Sequence, residues 1–188
     1  TFVLLATGIR GGLRHQLLIS STVTGQAKAD LKLLLKRVLI FTAACEAVGM
    51  IVLFIRFLFT DMSFGWALWN AIFLSISSFC NAGFALDNGS LIPFQSDIVV
   101  LTTIGSLIVF GGLGYPVIFD IASTYKNHPK SWWTNLHIHS KLMILGTTTL
   151  ILSGFAAILI LEWDNPLAAN QSVYQRILSA MFQSVTCR

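Results

Sequence analysis

The sequence predicts an all-α membrane protein built from tandem repeats. Each repeat is a membrane span, a short re-entrant helix with its loop, and a second span. Three observations carry this. Hydrophobic residues make up 55% of the 188 positions and charged residues only 11%, about half the charge of an ordinary soluble domain. Three apolar runs reach the roughly 20 residues needed to cross a bilayer. Two further apolar segments are too short or too polar to cross, and they share a motif. The same balance excludes a disordered chain and a basic nucleic-acid-binding domain. Three scattered cysteines exclude a disulfide framework.

The spans come first. Val38 to Phe57 is apolar except for Glu46 and Arg56, and Ile98 to Phe119 and Leu142 to Leu161 carry no charge. Thr1 to Ile9 reads as the tail of an earlier span, because it is too short to cross alone. It lacks the basic lead of a signal peptide. The chain therefore reads as an internal piece of a longer protein.

Between and after these spans lie Trp66 to Phe84, interrupted by Asn70, Ser75, Ser77, Ser78 and Asn81, and the amphipathic Tyr174 to Val185. Irregular backbone at membrane depth is tolerated only inside protein or along a water-filled path, so both are expected to enter and leave on one side. Charge indicates which side. Nine of the twelve basic residues fall in two connections, Arg10 to Arg37 and the stretch holding Lys126, Lys130 and Lys141. The positive-inside rule makes those connections cytoplasmic, so both re-entrant segments open outward. Trp66 and Trp69 on the outer side, and Trp132 and Trp133 on the inner, suit interfacial belts.

The shared motif is A-x-F-x-S-[IV]-[ST]. It runs from Ala71 to Ser77 and again from Ala180 to Thr186, an offset of 109 residues. Each copy follows a span at a similar distance, so the chain holds one full unit, the front of a second and a trace of one before. Chance similarity of two apolar helices is the competing explanation.

The loop after the first short helix is Ser77-Ser78-Phe79-Cys80-Asn81-Ala82-Gly83-Phe84. A helix C-terminus offers partial negative charge and unpaired carbonyls. Two readings of the loop stand. Gly83 turns a packed hairpin and nothing more, or it lets successive carbonyls face one axis, where they replace a cation's hydration shell as in potassium filters. The absence of a carboxylate before Asp87 disfavours a carboxylate ring. One loop cannot encircle an ion, so several copies are required.

Phe73 to Phe84 resembles the second pore loop of the Trk/Ktr/HKT superfamily of potassium transporters, in particular its Ktr membrane subunits. Ala180 to Arg188 resembles the start of the third pore loop. Gly111-Gly112-Leu113-Gly114-Tyr115-Pro116-Val117 with Asp120 resembles the helix that follows the second, and Leu136 to Leu142 the entry to the third repeat. The resemblance implies four M1–P–M2 repeats around a single potassium-channel-like pore, with Gly83 as the filter glycine of the second. On that basis residues 1–37 are the end of the first M2 and a basic linker, and 38–120 the complete second repeat. Residues 121–141 are a cytoplasmic linker, and 142–188 are M1 and the pore helix of the third repeat.

The resemblance further implies potassium uptake across the plasma membrane, often sodium-dependent, with potassium and in some cases sodium as substrate and no cofactor. In a Gram-negative-type bacterium that would be the inner membrane. The implied partners are lipid, the remaining repeats, a second copy of the chain and a cytoplasmic nucleotide-binding regulatory subunit. Cys80, Asn81, Ala82 and Gly83 would form the filter, with Ser77, Ser78, Thr186 and Cys187 at the pore-helix ends and K+ at the Gly83 loop. Cys80 departs from the family, where Asn or another polar residue is common. One glycine per repeat, in place of Gly-Tyr-Gly, implies a less strict filter.

Other residues carry paired readings. Glu46, in mid-span, is an anchor or an ion contact; a charge there costs at least about 2.5 kcal/mol. Arg56 is expected to snorkel, and Asp97 and Asp120 to cap or anchor the span between them. His128, His137 and His139 suggest an interface more than a transition-metal site, because residues two apart do not share a helix face. A membrane-embedded histidine-dependent metalloenzyme or hydrolase is the alternative function, and a purely structural subunit a third.

Overall fold

The computed structural model describes residues 27–60, 62–86, 89–127, 129–163 and 172–188. These are helical: α1 (Ala27–Leu58), α2 (Phe64–Phe79), α3 (Ile98–Asn127), α4 (Trp132–Asn135), α5 (Ile138–Glu162) and α6 (Val173–Thr186), with a 3-10 turn at Ile92–Phe94. Expectations placed on Thr1 to Ile9, Arg10, Arg14, Asp61, Asp87, His128 and Asp164 lie outside the described residues. Residues 41–188 form one compact unit and 1–40 another. Both short helices and the loops that end them belong to the 41–188 unit.

Among the described residues three helices are long and apolar enough to cross a membrane, within Leu33–Leu58, Ile98–Asn127 and Ile138–Glu162. They match the expected spans but overrun them. α1 starts at Ala27 rather than Val38, so Lys28, Lys32, Lys36 and Arg37 ride on a helix and not on a linker. α3 continues from Phe119 to Asn127.

α2 is 16 residues long, about 24 Å at 1.5 Å per residue, and does not cross. Its first turn lies against the last turns of α1, where the Phe54 and Phe64 rings stand 5.4 Å apart. Its last residue, Phe79, packs on Phe41 at 6.4 Å, four turns back along α1. Fifteen residues later the chain is back at the level of Phe57, whose ring meets Phe94 at 5.2 Å. The segment therefore leaves by the end it entered. Its apolar face meets α1 and α3 in the core of the unit, made of Leu53, Phe57, Ala67, Ala71, Leu74, Val100, Ile104 and Ile108, which Val185 of α6 joins.

Asp97 and Asp120 anchor α3, the first at its N-terminus and the second two turns before its C-terminus. Asp97 Oδ1 accepts the main-chain N–H of Val99 at 3.0 Å and of Val100 at 3.3 Å, capping the helix. Its Oδ2 takes Nε of Arg56 at 2.7 Å. Arg56 thus pairs with a residue 41 positions further along the chain. Asp120 Oδ2 accepts the main-chain N–H of His137 at 3.1 Å, with the His137 ring 3.7 Å away. It holds the start of α5, where His137 is the N-cap residue.

Asp97→Ala removes a helix cap and an ion pair together. It should lower the thermal unfolding temperature of the detergent-solubilised protein by the equivalent of about 1–2 kcal/mol. Arg56→Ala, whose side chain is 39% exposed, should cost less, because exposed pairs contribute at most about 1 kcal/mol. Equal losses would mean that the cap contributes nothing.

Candidate functional site

The site begins where α2 ends. Its last-turn carbonyls are taken up locally: Ile76 O by Cys80 N, Ser78 O by Asn81 N, and Ser77 O by Ala82 N at 2.8 Å. The Ser77 hydroxyl donates to Phe84 O at 2.8 Å and accepts from Phe84 N at 3.2 Å. Both strands of the loop are thereby pinned to the helix that precedes them. The residues between, Cys80 to Gly83, are exposed. Among the described residues, none of their four carbonyls accepts a hydrogen bond. Asn81 (φ 48°) and Gly83 (φ 73°) both lie in the left-handed region, which glycine and asparagine enter most easily. Space around Gly83 is open, with nothing within 4 Å of an added Cβ. Backbone conformation, not room, calls for glycine there.

α6 repeats the arrangement. A capping box starts it, with Ser172 Oγ accepting from Gln175 N and Gln175 Oε1 from Ser172 N. Arg176 donates to Trp163 O at the end of α5 at 2.8 Å. The helix then runs back along α5 for 14 residues and ends at Thr186, with Cys187 as C-cap.

α3 brings the two short helices together. A Cβ at Gly111 would collide with the Phe79 carbonyl, so only glycine lets the end of α2 come this close. At the next position, a Cβ on Gly112 would meet the Arg188 guanidinium at 3.2 Å. α3 breaks just beyond, at Gly114 (φ 76°, ψ 161°), two residues before Pro116. Proline has no N–H to continue the ladder and disfavours helical backbone before it. Tyr115, inside the break, contacts Phe41 at 5.9 Å, and Phe41 contacts Phe79.

A cavity of about 290 Å3 lies where the helix ends meet. Ser77, Ser78, Asn81 and Gly83 line it from the first loop, Phe182 and Thr186 from α6, and Ile104 and Ile108 from α3. Five of the eight residues singled out from the sequence thus face one space. Cys80, Ala82 and Cys187 are exposed but do not line it. Glu46 contributes its main-chain carbonyl to Ser75. Among the described residues its half-buried carboxylate has no hydrogen-bond partner. His137 is engaged with Asp120. Among the described residues no three His, Cys, Asp or Glu side chains gather as metal ligands. Gly111 and Gly112 entered the sequence reading only through the resemblance of their stretch to the helix after the second pore loop; their seating of the two helix ends was not read from it.

The sequence model of the TrkH family, described as "Cation transport protein", matches residues 11–188. The chain belongs to this family. Among curated proteins, this TrkH-family chain is 35% identical over 182 residues to the Ktr system potassium uptake protein B of Vibrio alginolyticus, covering 96% of the chain and 39% of that protein. It is 33% identical over 153 residues to the potassium/sodium uptake protein NtpJ of Enterococcus hirae, covering 80% and 32%. It is 28% identical over 194 residues to the Ktr system potassium uptake protein B of Bacillus subtilis, covering 100% and 42%. The chain spans about two fifths of the Ktr relatives and a third of NtpJ.

Gly111→Ala should lower the yield of folded protein and its unfolding temperature, since overpacking typically costs about 1–3 kcal/mol. Gly146→Ala, with nothing within 4 Å of the added Cβ, should be neutral or slightly stabilising by helix propensity. Equal behaviour of the two in a detergent melt would contradict the close seat.

Proposed function

We propose that this chain is the central part of a four-repeat potassium transporter, in which Cys80 to Gly83 form one quarter of a carbonyl-lined filter. The observation that carries the reading is the run of four exposed residues whose carbonyls accept no hydrogen bond among the described residues, at the end of a 16-residue helix. Carbonyl oxygens without N–H partners are what a dehydrated cation needs. The macrodipole of α2 adds partial negative charge at the same end. The names of the relatives, potassium and potassium/sodium uptake proteins, support potassium as substrate and a role for sodium. They are transport names and give no support to the metalloenzyme alternative.

In this reading residues 38–120 are a complete M1–P–M2 repeat and 142–188 the M1 and pore helix of the next. Thr186 and Cys187 close the second pore helix as Ser77 and Ser78 close the first. The protein is a multi-pass protein of the plasma membrane. The Ktr system names point to a membrane component of a larger system. By family resemblance its partners are a second copy and a cytoplasmic nucleotide-binding subunit.

Gly83→Ser places a side chain on a left-handed backbone, which costs about 1–2 kcal/mol and displaces the carbonyls. In the full-length transporter, expressed in cells lacking potassium uptake, it should change the ratio of potassium to sodium transport about tenfold. Unchanged kinetics for both ions would overturn the filter assignment.

A further inference from the structure

Two hydroxyls in the short helices behave unlike their neighbours. Ser78, Thr102, Ser106 and Thr148 return their hydroxyls to the carbonyl four residues back in their own helix. Ser75 instead donates to the Glu46 carbonyl of α1 at 2.6 Å, and Ser184 to the Ile151 carbonyl of α5 at 2.6 Å. Ser75 is 0% exposed and Ser184 3%. Each bond joins a short helix to the span that precedes it.

The two bonds are copies of one device. Ser75 and Ser184 occupy the same position of the repeated motif, 109 residues apart. Their acceptors, Glu46 and Ile151, each stand three residues before a glycine, Gly49 or Gly154. A Cβ at Gly154 would come within 2.6 Å of Ser184 Oγ, and one at Gly49 within 2.9 Å of Ser75 Oγ and 2.6 Å of the Leu107 side chain, which shares that seat. Each glycine therefore opens the seat that its serine occupies. The connection from span to serine is four residues longer in the second copy, yet the contact is the same. Similarity of two apolar helices does not require a matched acceptor and a matched glycine on separate elements.

The bond sits near the working end of each short helix. Ser75 is one turn before Phe79, and Ser184 two residues before Thr186. A main-chain carbonyl accepting a hydroxyl fixes both the depth and the rotation of the helix that carries the serine. We propose that Ser75 and Ser184 are positioning residues for ion selection, each latching its pore helix to the preceding span through the seat opened by Gly49 or Gly154. The inference rests on the filter reading and deepens it. The serines touch no ion. They set where the loop carbonyls stand.

The test uses the full-length transporter in uptake-deficient cells, with membrane-inserted protein quantified. KM and Vmax are measured for potassium and for sodium in Ser75→Ala, Ser184→Ala, Gly154→Ala/Ser184→Ala and Gly83→Ser. Both single serine variants should raise the potassium KM relative to that of sodium about fivefold, the size of one lost hydrogen bond. Vmax per inserted protein should change less. The double variant refills the seat with a methyl group and should keep the altered ratio, because packing is restored and the bond is not. A normal KM ratio in the serine variants beside an altered Gly83→Ser would overturn the latch and leave the filter standing. Normal ratios in all four would overturn both. Failure of every serine variant to reach the membrane, or restoration of the ratio by the double variant, would make the serines packing residues and overturn the proposal.

Discussion

Bare main chain in a membrane has to be satisfied. An unpaired carbonyl facing hydrocarbon costs several kcal/mol, so irregular backbone persists at that depth only inside protein or beside water. The segment from Cys80 to Gly83 leaves four carbonyls without donors among the described residues. Its ends are held by its own helix through Ser77. Around it stand the end of the short α2, a neighbouring helix with glycine where that end arrives, and the Phe41 and Tyr115 rings. A protein that needed only to fill the membrane would continue the helix.

α3 is the element on which the arrangement turns. It meets the end of α2 at Gly111 and the residue after α6 at Gly112, then breaks at Gly114. Its N-terminal end is capped by Asp97 and tied to α1 through Arg56. Through Asp120 it holds the start of α5. One helix thus contacts both short helices and the start of α5. Glycine is required here by close approach, because a single methyl group at position 111 would strike a carbonyl oxygen.

The spans were legible in the sequence because lipid imposes length and apolarity on the chain directly. The short α2 was legible because Asn70 and four further polar residues interrupt a brief apolar run. The start of α1 was not, since Lys28 to Arg37 read as a charged linker while the backbone continues as helix. The pairing of Arg56 with Asp97 was hidden by a separation of 41 positions. The repeat was visible as a motif, but its physical content was not. The serine in A-x-F-x-S has an acceptor 29 or 33 residues away, and only the folded arrangement brings Gly49 and Gly154 beside it. Gly83 was found for the conformational reason that its φ of 73° bears out. Gly111 and Gly112 matter for packing, a property that adjacent glycines in a hydrophobic run do not announce.

The most direct measurement is anomalous diffraction from the full-length protein crystallised with rubidium or thallium, heavy stand-ins for potassium. The account predicts an ion peak on the pore axis coordinated by main-chain oxygens of the Cys80 to Gly83 segment and of its counterparts in the other repeats. Ion peaks confined to side chains elsewhere, with these carbonyls turned into protein or lipid, would contradict it.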